Sequence, residues 1–217
     1  MKTLKIPLIE TQVNDAAQIS ALMDENGVKW QAVDNNNWPE AYPYTPRAEF
    51  RIAHCGDAFL VNYRADEETI KAAYANDNGQ VWTDSCMEFF LSPKPEDGIY
   101  YNLECNCIGT VLLGARGGNV EKAHAPAEVM DGILRWSSLG RETFAETKAD
   151  SAWEVALKVP FSAYWHHKEM GKTMRANFYK CGDDLAKPHF LSWNKIDWEK
   201  PNFHLPQFFG EIELGQD

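Results

Sequence analysis

"NGQVWTDSCMEFFLSPKPEDGIYYNLECN", Asn78–Asn106, is the stretch whose period decides the fold. Its runs "CMEFFLS" and "YYNLECN" change character at every second residue, which is the side-chain period of a β-strand. In the second run Tyr101, Leu103 and Cys105 share one face, while Tyr100, Asn102, Glu104 and Asn106 share the other. In the first run Glu88 and Phe90 oppose Met87, Phe89 and Leu91. The polar face is therefore built from Glu, Asn and Tyr, not from the Lys, Thr and Ser that usually solvate an outer sheet. Trp82 stands in a polar turn just ahead of the first strand.

The same period extends outward along the chain. "AEFRIAH" and "AFLVNYRA" flank the turn Cys55-Gly56-Asp57 and read as a β-hairpin, with Phe50, Ile52, Phe59, Val61 and Tyr63 facing in. "DSAWEVALKVPFS" puts Trp153, Val155, Leu157 and Val159 on one face and Glu154 and Lys158 on the other, and Pro160 ends the strand. "KTMRANFYKCG" sends Met174, Ala176 and Phe178 inward and Arg175, Asn177 and Tyr179 outward. "GTVLLGA" and "QFFGEIEL" are further strands. Helical spacing is confined to two short segments: "DAAQISALMD", stopped by Gly27, and "DEETIKAAYA", capped by Asp66 with Ile70, Ala73 and Tyr74 on one stripe. The proline-rich loop 35–47 is expected to be pinned by Trp38, Tyr42 and Tyr44. Many short strands with little helix predict an all-β, antiparallel β-sandwich of jelly-roll or immunoglobulin-like type, with a few short helices. No repeat or linker divides the chain, so residues 1–217 are read as one domain.

Composition narrows the function. The 21 Lys and Arg against 32 Asp and Glu give a net charge of −11. Such a surface repels polyanions, and nucleic acid, whose binding needs a basic face to displace counterions, is not an expected partner. The five cysteines, Cys55, Cys86, Cys105, Cys107 and Cys181, are odd in number and follow no disulfide or zinc-hook spacing, so they read as buried or half-buried thiols. Pro7 and Glu10 interrupt the N-terminal apolar run before a secretory core forms, and no segment has the ~20 apolar residues of a membrane span. As written the chain reads as cytoplasmic; a trimmed leader would leave the same sequence on an exported protein. Oligomeric state is not legible.

The polar strand face suits a neutral polyol. Carboxylates and amide oxygens accept hydroxyl protons, cationic and amide N–H groups donate in return, and the C–H face of a pyranose stacks on an indole. The candidate ligand-binding residues are Trp82 and Trp193 as stacking platforms, Glu88, Asn102, Glu104 and Asn106 as hydrogen-bonding groups, and Arg175 or Lys180 as cationic donors. Two rival readings stand beside this one. Glu88 and Glu104 could be the acid and nucleophile of a glycoside hydrolase, for which carboxyl separations of ~5–5.5 Å or ~6.5–9.5 Å would serve. The aromatics could instead meet protein, as in an interaction domain that binds no sugar. His54, His124, His189 and His204 are scattered and the pair His166-His167 is adjacent, so no zinc helix motif forms. "GARGG", 114–118, lacks the lysine of a phosphate loop and reads as a strand end and turn.

The runs "VWTDSCMEFFLSP", "YYNLECNCIGT", "RANFYKCGDD", "PHFLSWNKI" and "PNFHLPQFFGEIEL" resemble the family 9 carbohydrate-binding modules, and more closely the stand-alone family 9-like proteins of gut Bacteroidetes, which are associated with polysaccharide utilisation. The likeness covers roughly residues 30–215. W-x-D-S-x-x-E-F-F, followed by S-W and F-H-x-P-x-x-F-G, is its signature in this chain. The resemblance implies a β-sandwich without a catalytic residue of its own. It implies a mono- or oligosaccharide ligand, a glycan reducing end among them, gripped between two Trp rings that fall on Trp82 and Trp193, with Glu88 beside the first. It also implies structural calcium, whose ligands it does not identify. Asp84, Asp183 and Asp184 are acidic loop positions, but that is composition only. The N-terminal segment and the 116–132 loop depart from the short modules.

Overall fold

The computed structural model describes residues 1–150, 152–167 and 169–216. In chain order the strands are β1 (Thr3–Ile6), β2 (Gln31–Ala32), β3 (Asn35–Asn36), β4 (Arg47–His54), β5 (Ala58–Asp66), β6 (Thr69–Ala72), β7 (Cys86–Ser92) and β8 (Ile99–Asn106). They continue with β9 (Val111–Gly117), β10 (Ala123–His124), β11 (Leu134–Ser137), β12 (Phe144–Lys148), β13 (Trp153–Pro160), β14 (Thr173–Cys181), β15 (Phe190–Ser192) and β16 (Gly210–Leu214). Helices α1 (Ile19–Glu25) and α2 (Ala127–Asp131) are short.

Two sheets carry the fold. The larger runs β1-β16-β14-β7-β8-β9-β10, with β15 and β3 attached at β14. The smaller runs β11-β13-β5-β4-β2. Pairing is antiparallel except between β1 and β16. The inward positions read from the sequence meet between the sheets: Phe50, Ile52, Phe59, Val61 and Tyr63 pack with Phe89, Leu103, Val155, Leu157 and Phe178. A ring stack crosses this core, with Phe50 and Phe178 centred 3.5 Å apart and Phe178 and Phe89 4.7 Å apart. Asp15 caps the first helical turn by accepting from the Ala17 N–H, and Gly27 ends the segment at φ +64°. The face of α1 that carries Ile19 and Met23 covers the outer side of the small sheet.

The segment 66–75 is not the expected helix. Asp66 ends β5, and Thr69–Ala72 is β6, paired with β12. Ile70 and Ala72 point into the core at a period of two, and β-branched Thr69 and Ile70 favour that state. Between the two strands Glu67 turns inward, accepting from the Trp153 indole N–H at 2.6 Å and pairing with Lys180 at 2.9 Å.

The outer face of the large sheet is covered too. Residues 36–44 and 194–209 fold over it and form a second apolar cluster with Phe90, Tyr100, Leu112 and Tyr179, to which Trp38, Ile196, Phe203 and Phe209 belong. Asn37 holds this cover by accepting from the Ile196 N–H at 2.9 Å and donating to the Ser192 hydroxyl at 2.9 Å. The polar residues of β7 and β8 are consequently buried beneath loops, and a gap in that cover makes a site.

Candidate functional site

The gap is a cleft of about 240 Å³. Glu88, Glu104 and Cys181 line it from the strands, Trp82 and Asp183 from turns, and Phe90, Phe190, Arg116 and the loop residues 201–204, Asn202, Phe203 and His204 among them, complete its wall. Its size is below the ~300–1,000 Å³ that enclose drug-sized ligands.

Glu88 and Glu104 lie directly opposite each other on β7 and β8, with Tyr179 opposite Glu88 on its other side. Both glutamates are buried, at 3% and 4% exposure. Asn102 donates to Glu104 Oε1 at 2.8 Å and accepts from Arg116 Nε at 3.3 Å, so it relays the guanidinium to the carboxylate. The relay depends on Gly114, where a Cβ would meet Asn102 Oδ1 at 2.8 Å. The Cys181 thiol donates to Glu88 Oε1 at 3.1 Å. Each glutamate keeps a second oxygen, Oε2, that is buried and has no partner among the described residues. An orphaned buried acceptor costs ~1–3 kcal/mol.

The protonation state follows from this geometry. Burial raises the pKa of Glu88 well above the carboxylate range, and the neighbouring Glu104 raises it further. Burial raises Glu104 to about 7, against the lowering effect of Asn102 and Arg116. At neutral pH the pair therefore retains a proton and offers both a donor and acceptors. Half-buried His204 is pushed down to about 4, by burial first and then by Arg116 and Lys122. It is neutral, and its Nδ1 lies 3.2 Å from the Tyr100 hydroxyl.

The structure separates the eight candidate residues. Trp82, Glu88 and Glu104 line the cleft, and Trp82 is half-buried. Asn102 is fully buried and supports Glu104 from behind. Asn106 has a structural role: its amide donates to Tyr74 O and Asp84 Oδ2, and its Oδ1 accepts from the Thr110 N–H. Arg175 donates to the Phe209 and Gly210 carbonyls and anchors the last strand. Lys180 shares the inward face of β14 with Met174, Ala176 and Phe178. It is fully buried, within 2.9 Å of Glu67 and 2.7 Å of His189 Nε2.

Trp193 is a correction to the two-indole grip. It is 2% exposed and stands edge-on to both Phe50 and Phe178 with centroids 5.9 Å away. Its backbone N–H donates to the Phe178 carbonyl, which continues the pairing of β15 on β14, and Gly210 leaves room for the ring: a Cβ there would lie 2.6 Å from the indole. The aromatic surfaces beside Trp82 in the cleft are instead Phe90, Phe190 and Phe203. Phe203 is held flat on Tyr179, 4.1 Å between centroids at 8°.

Sequence reasoning did not single out Arg116, Phe203, Asn202 or His204. Arg116 sits in the run read as a strand end. The other three come from a loop without period, although F-H-x-P-x-x-F-G contains two of them.

Asp84, Asp183 and Asp184 do not meet as one close group of ligand atoms among the described residues. Both oxygens of buried Asp84 already accept, from the Ala73 and Tyr74 N–H groups and from Asn106. Asp184 pairs with Lys71 at 2.8 Å, and Asp183 lies at the cleft.

A model of carbohydrate-binding family 9 matches residues 17–214. Among solved structures, a Bacteroides uniformis protein ascribed a carbohydrate-binding role is 42% identical, with a TM-score of 0.94 over 99% of each chain. A family 9 carbohydrate-binding module of Caldicellulosiruptor kristjanssonii in complex with glucose is 15% identical, with a TM-score of 0.59 over 99% of this chain and 96% of that one. The cellotriose complex of a family 9 module from the same organism is 14% identical, with a TM-score of 0.61 over 98% and 93%. Among curated proteins no match is found. No helix among the described residues is long and apolar enough to cross a membrane.

Proposed function

The chain belongs to carbohydrate-binding family 9, and from that premise we propose that it binds a neutral sugar in this cleft without cleaving it. The observation that carries the reading is that Glu88 and Glu104, each with a buried Oε2 that has no partner among the described residues, line one cleft with Trp82 and Phe203. A sugar hydroxyl supplies the missing donor to each. Hydrogen bonds to charged groups contribute ~1.5–3 kcal/mol when well formed. The retained proton lets one carboxyl donate to a hydroxyl oxygen, which suits a ligand that both gives and takes hydrogen bonds. Arg116 adds a donor at the wall, and Trp82 offers its ring to the C–H face. The small volume favours a single terminal residue, and the solved complexes of family 9 modules hold glucose and cellotriose.

The test is calorimetric titration of mono- and oligosaccharides into the wild-type protein and into Glu88→Gln. The proposal expects saturable binding at one site per chain, weakened at least tenfold in the variant, with sugars recovered intact. Reducing-end release that depends on Glu88 would replace binding with hydrolysis. Silence toward every sugar, with a stable protein partner on pull-down, would favour the interaction-domain reading.

A further inference from the structure

Below the sugar-facing oxygens the cleft floor has a second, different chemistry. Cys86 on β7 and Cys181 on β14 are direct cross-strand partners. Glu88, two residues after Cys86, shares their face of the sheet. The two thiol sulfurs and a Glu88 oxygen all lie within 4.8 Å of one another, and all three residues are buried. Among the described residues this is the one group of three or more His, Cys, Asp or Glu side chains whose ligand atoms come so close. Glu88 Oε2 has no partner there.

We propose that Cys86, Cys181 and Glu88 form a site for a borderline-soft divalent cation of the zinc type, with its fourth position open to the cleft. Two sulfurs and one carboxylate oxygen are a donor set that zinc accepts, at about 2.3 Å to sulfur and about 2.0–2.2 Å to oxygen. Neighbouring ligands on such a tetrahedron lie about 3.5–3.8 Å apart; no pair in the cluster is more than 4.8 Å apart and Cys181 Sγ already lies 3.1 Å from Glu88 Oε1, so small side-chain rotations reach that geometry. Thiolates select against calcium and magnesium, which take oxygen. Three protein ligands leave a fourth position, and Glu88 and Cys181 both border the cleft, so a water or ligand hydroxyl can reach it.

Binding releases both thiol protons to solvent, and Glu88 ligates as the carboxylate, the proton that the Glu88–Glu104 pair holds staying on Glu104 or leaving to solvent. Two thiolates and one carboxylate against one dication leave a single net negative charge. Without the cation the thiols stay protonated: burial, with nearby Glu88 and Glu104 adding to it, raises Cys86 to about 12. The remaining cysteines have other surroundings. Cys105 and Cys107 face the main core, and Cys55 lies half-buried in the hairpin turn. The cation site rests on the thiols and Glu88 and stands whether or not the cleft takes sugar.

The experiment titrates the freshly reduced full chain with Co²⁺ under argon and follows absorption, then displaces with Zn²⁺. One Co²⁺ per chain is expected, with an intense near-ultraviolet thiolate-to-cobalt band, tetrahedral visible bands, and loss of both on adding one equivalent of Zn²⁺. Cys86→Ser and Cys181→Ser should remove the thiolate band, and Cys55→Ser should keep it. X-ray absorption on the zinc-loaded wild type needs no variant and should count two sulfur neighbours. A folded, reduced wild type that shows no band, a band that survives loss of both thiols, or a zinc shell of oxygen and nitrogen alone would overturn the site.

Discussion

Glu104→Gln should make the fold more stable at pH 8 while weakening the site. Glu104 is raised from its ordinary 4.5 to about 7, chiefly because it is buried. The folded chain thus holds a proton that the unfolded chain has already released between about pH 4.5 and 7. Raising pH through that window works against the fold: the contribution is fully present below about 4.5 and is lost above about 7. At ~1.36 kcal/mol per pH unit, the loss is of order 3 kcal/mol. Glutamine keeps an oxygen for the Asn102 amide and does not ionise, so the variant should lack this part of the pH slope. Urea unfolding at pH 5 and pH 8 reads it directly: the wild type should lose of order 3 kcal/mol more than the variant across the interval. For a chain of this length that corresponds to a midpoint difference of about 6–12 °C at pH 8. Equal pH slopes in the two proteins would refute the claim that Glu104 is a strained, buried carboxyl kept for a ligand.

Three further outcomes follow from the same geometry. Trp82→Ala should lower sugar affinity by ~2 kcal/mol or more, as loss of a stacking aromatic does, and leave the circular dichroism unchanged; titration calorimetry checks the first half and the spectrum itself the second. Trp193→Ala should instead cost ~3–5 kcal/mol of stability, because it empties a site between Phe50 and Phe178, and denaturant unfolding measures it. Lys180→Met should cost ~3–5 kcal/mol by stranding Glu67, and adding Glu67→Leu should recover much of that in the double variant, read by the same unfolding curves.

How much of this was legible beforehand depends on whether a residue obeys a period. Alternation along β7, β8, β13 and β14 places the inward residues, and it also puts Glu88 and Glu104 on a face away from the main core. Alternation does not reveal that loops 36–44 and 194–209 cover that face. The polar strand residues therefore divide into one group that touches the cleft and another, Asn102 and Asn106, that satisfies buried neighbours. Lys180 follows the inward period of β14 despite its charge, because Glu67 and His189 wait for it there, the first of them more than a hundred residues away, which no local pattern announces. Trp193 was misplaced for a related reason: an indole in a polar run reads as a surface ring, and only the Gly210 gap shows where it goes. The run 66–75 misled because its acidic start imitates a helix cap while Glu67 is drawn inward by Trp153 and Lys180. Cys86 and Cys181 carry no spacing signal, and the register of β7 on β14 alone brings them together.

The most direct test of the central claim is a crystal structure of the chain soaked with glucose. The account predicts one pyranose in the cleft, its C–H face on Trp82, with hydroxyls donating to Glu88 Oε2 and Glu104 Oε2. A sugar bound elsewhere, or a cleft that stays closed to saturating glucose and cellotriose while both oxygens remain unpartnered, would contradict it.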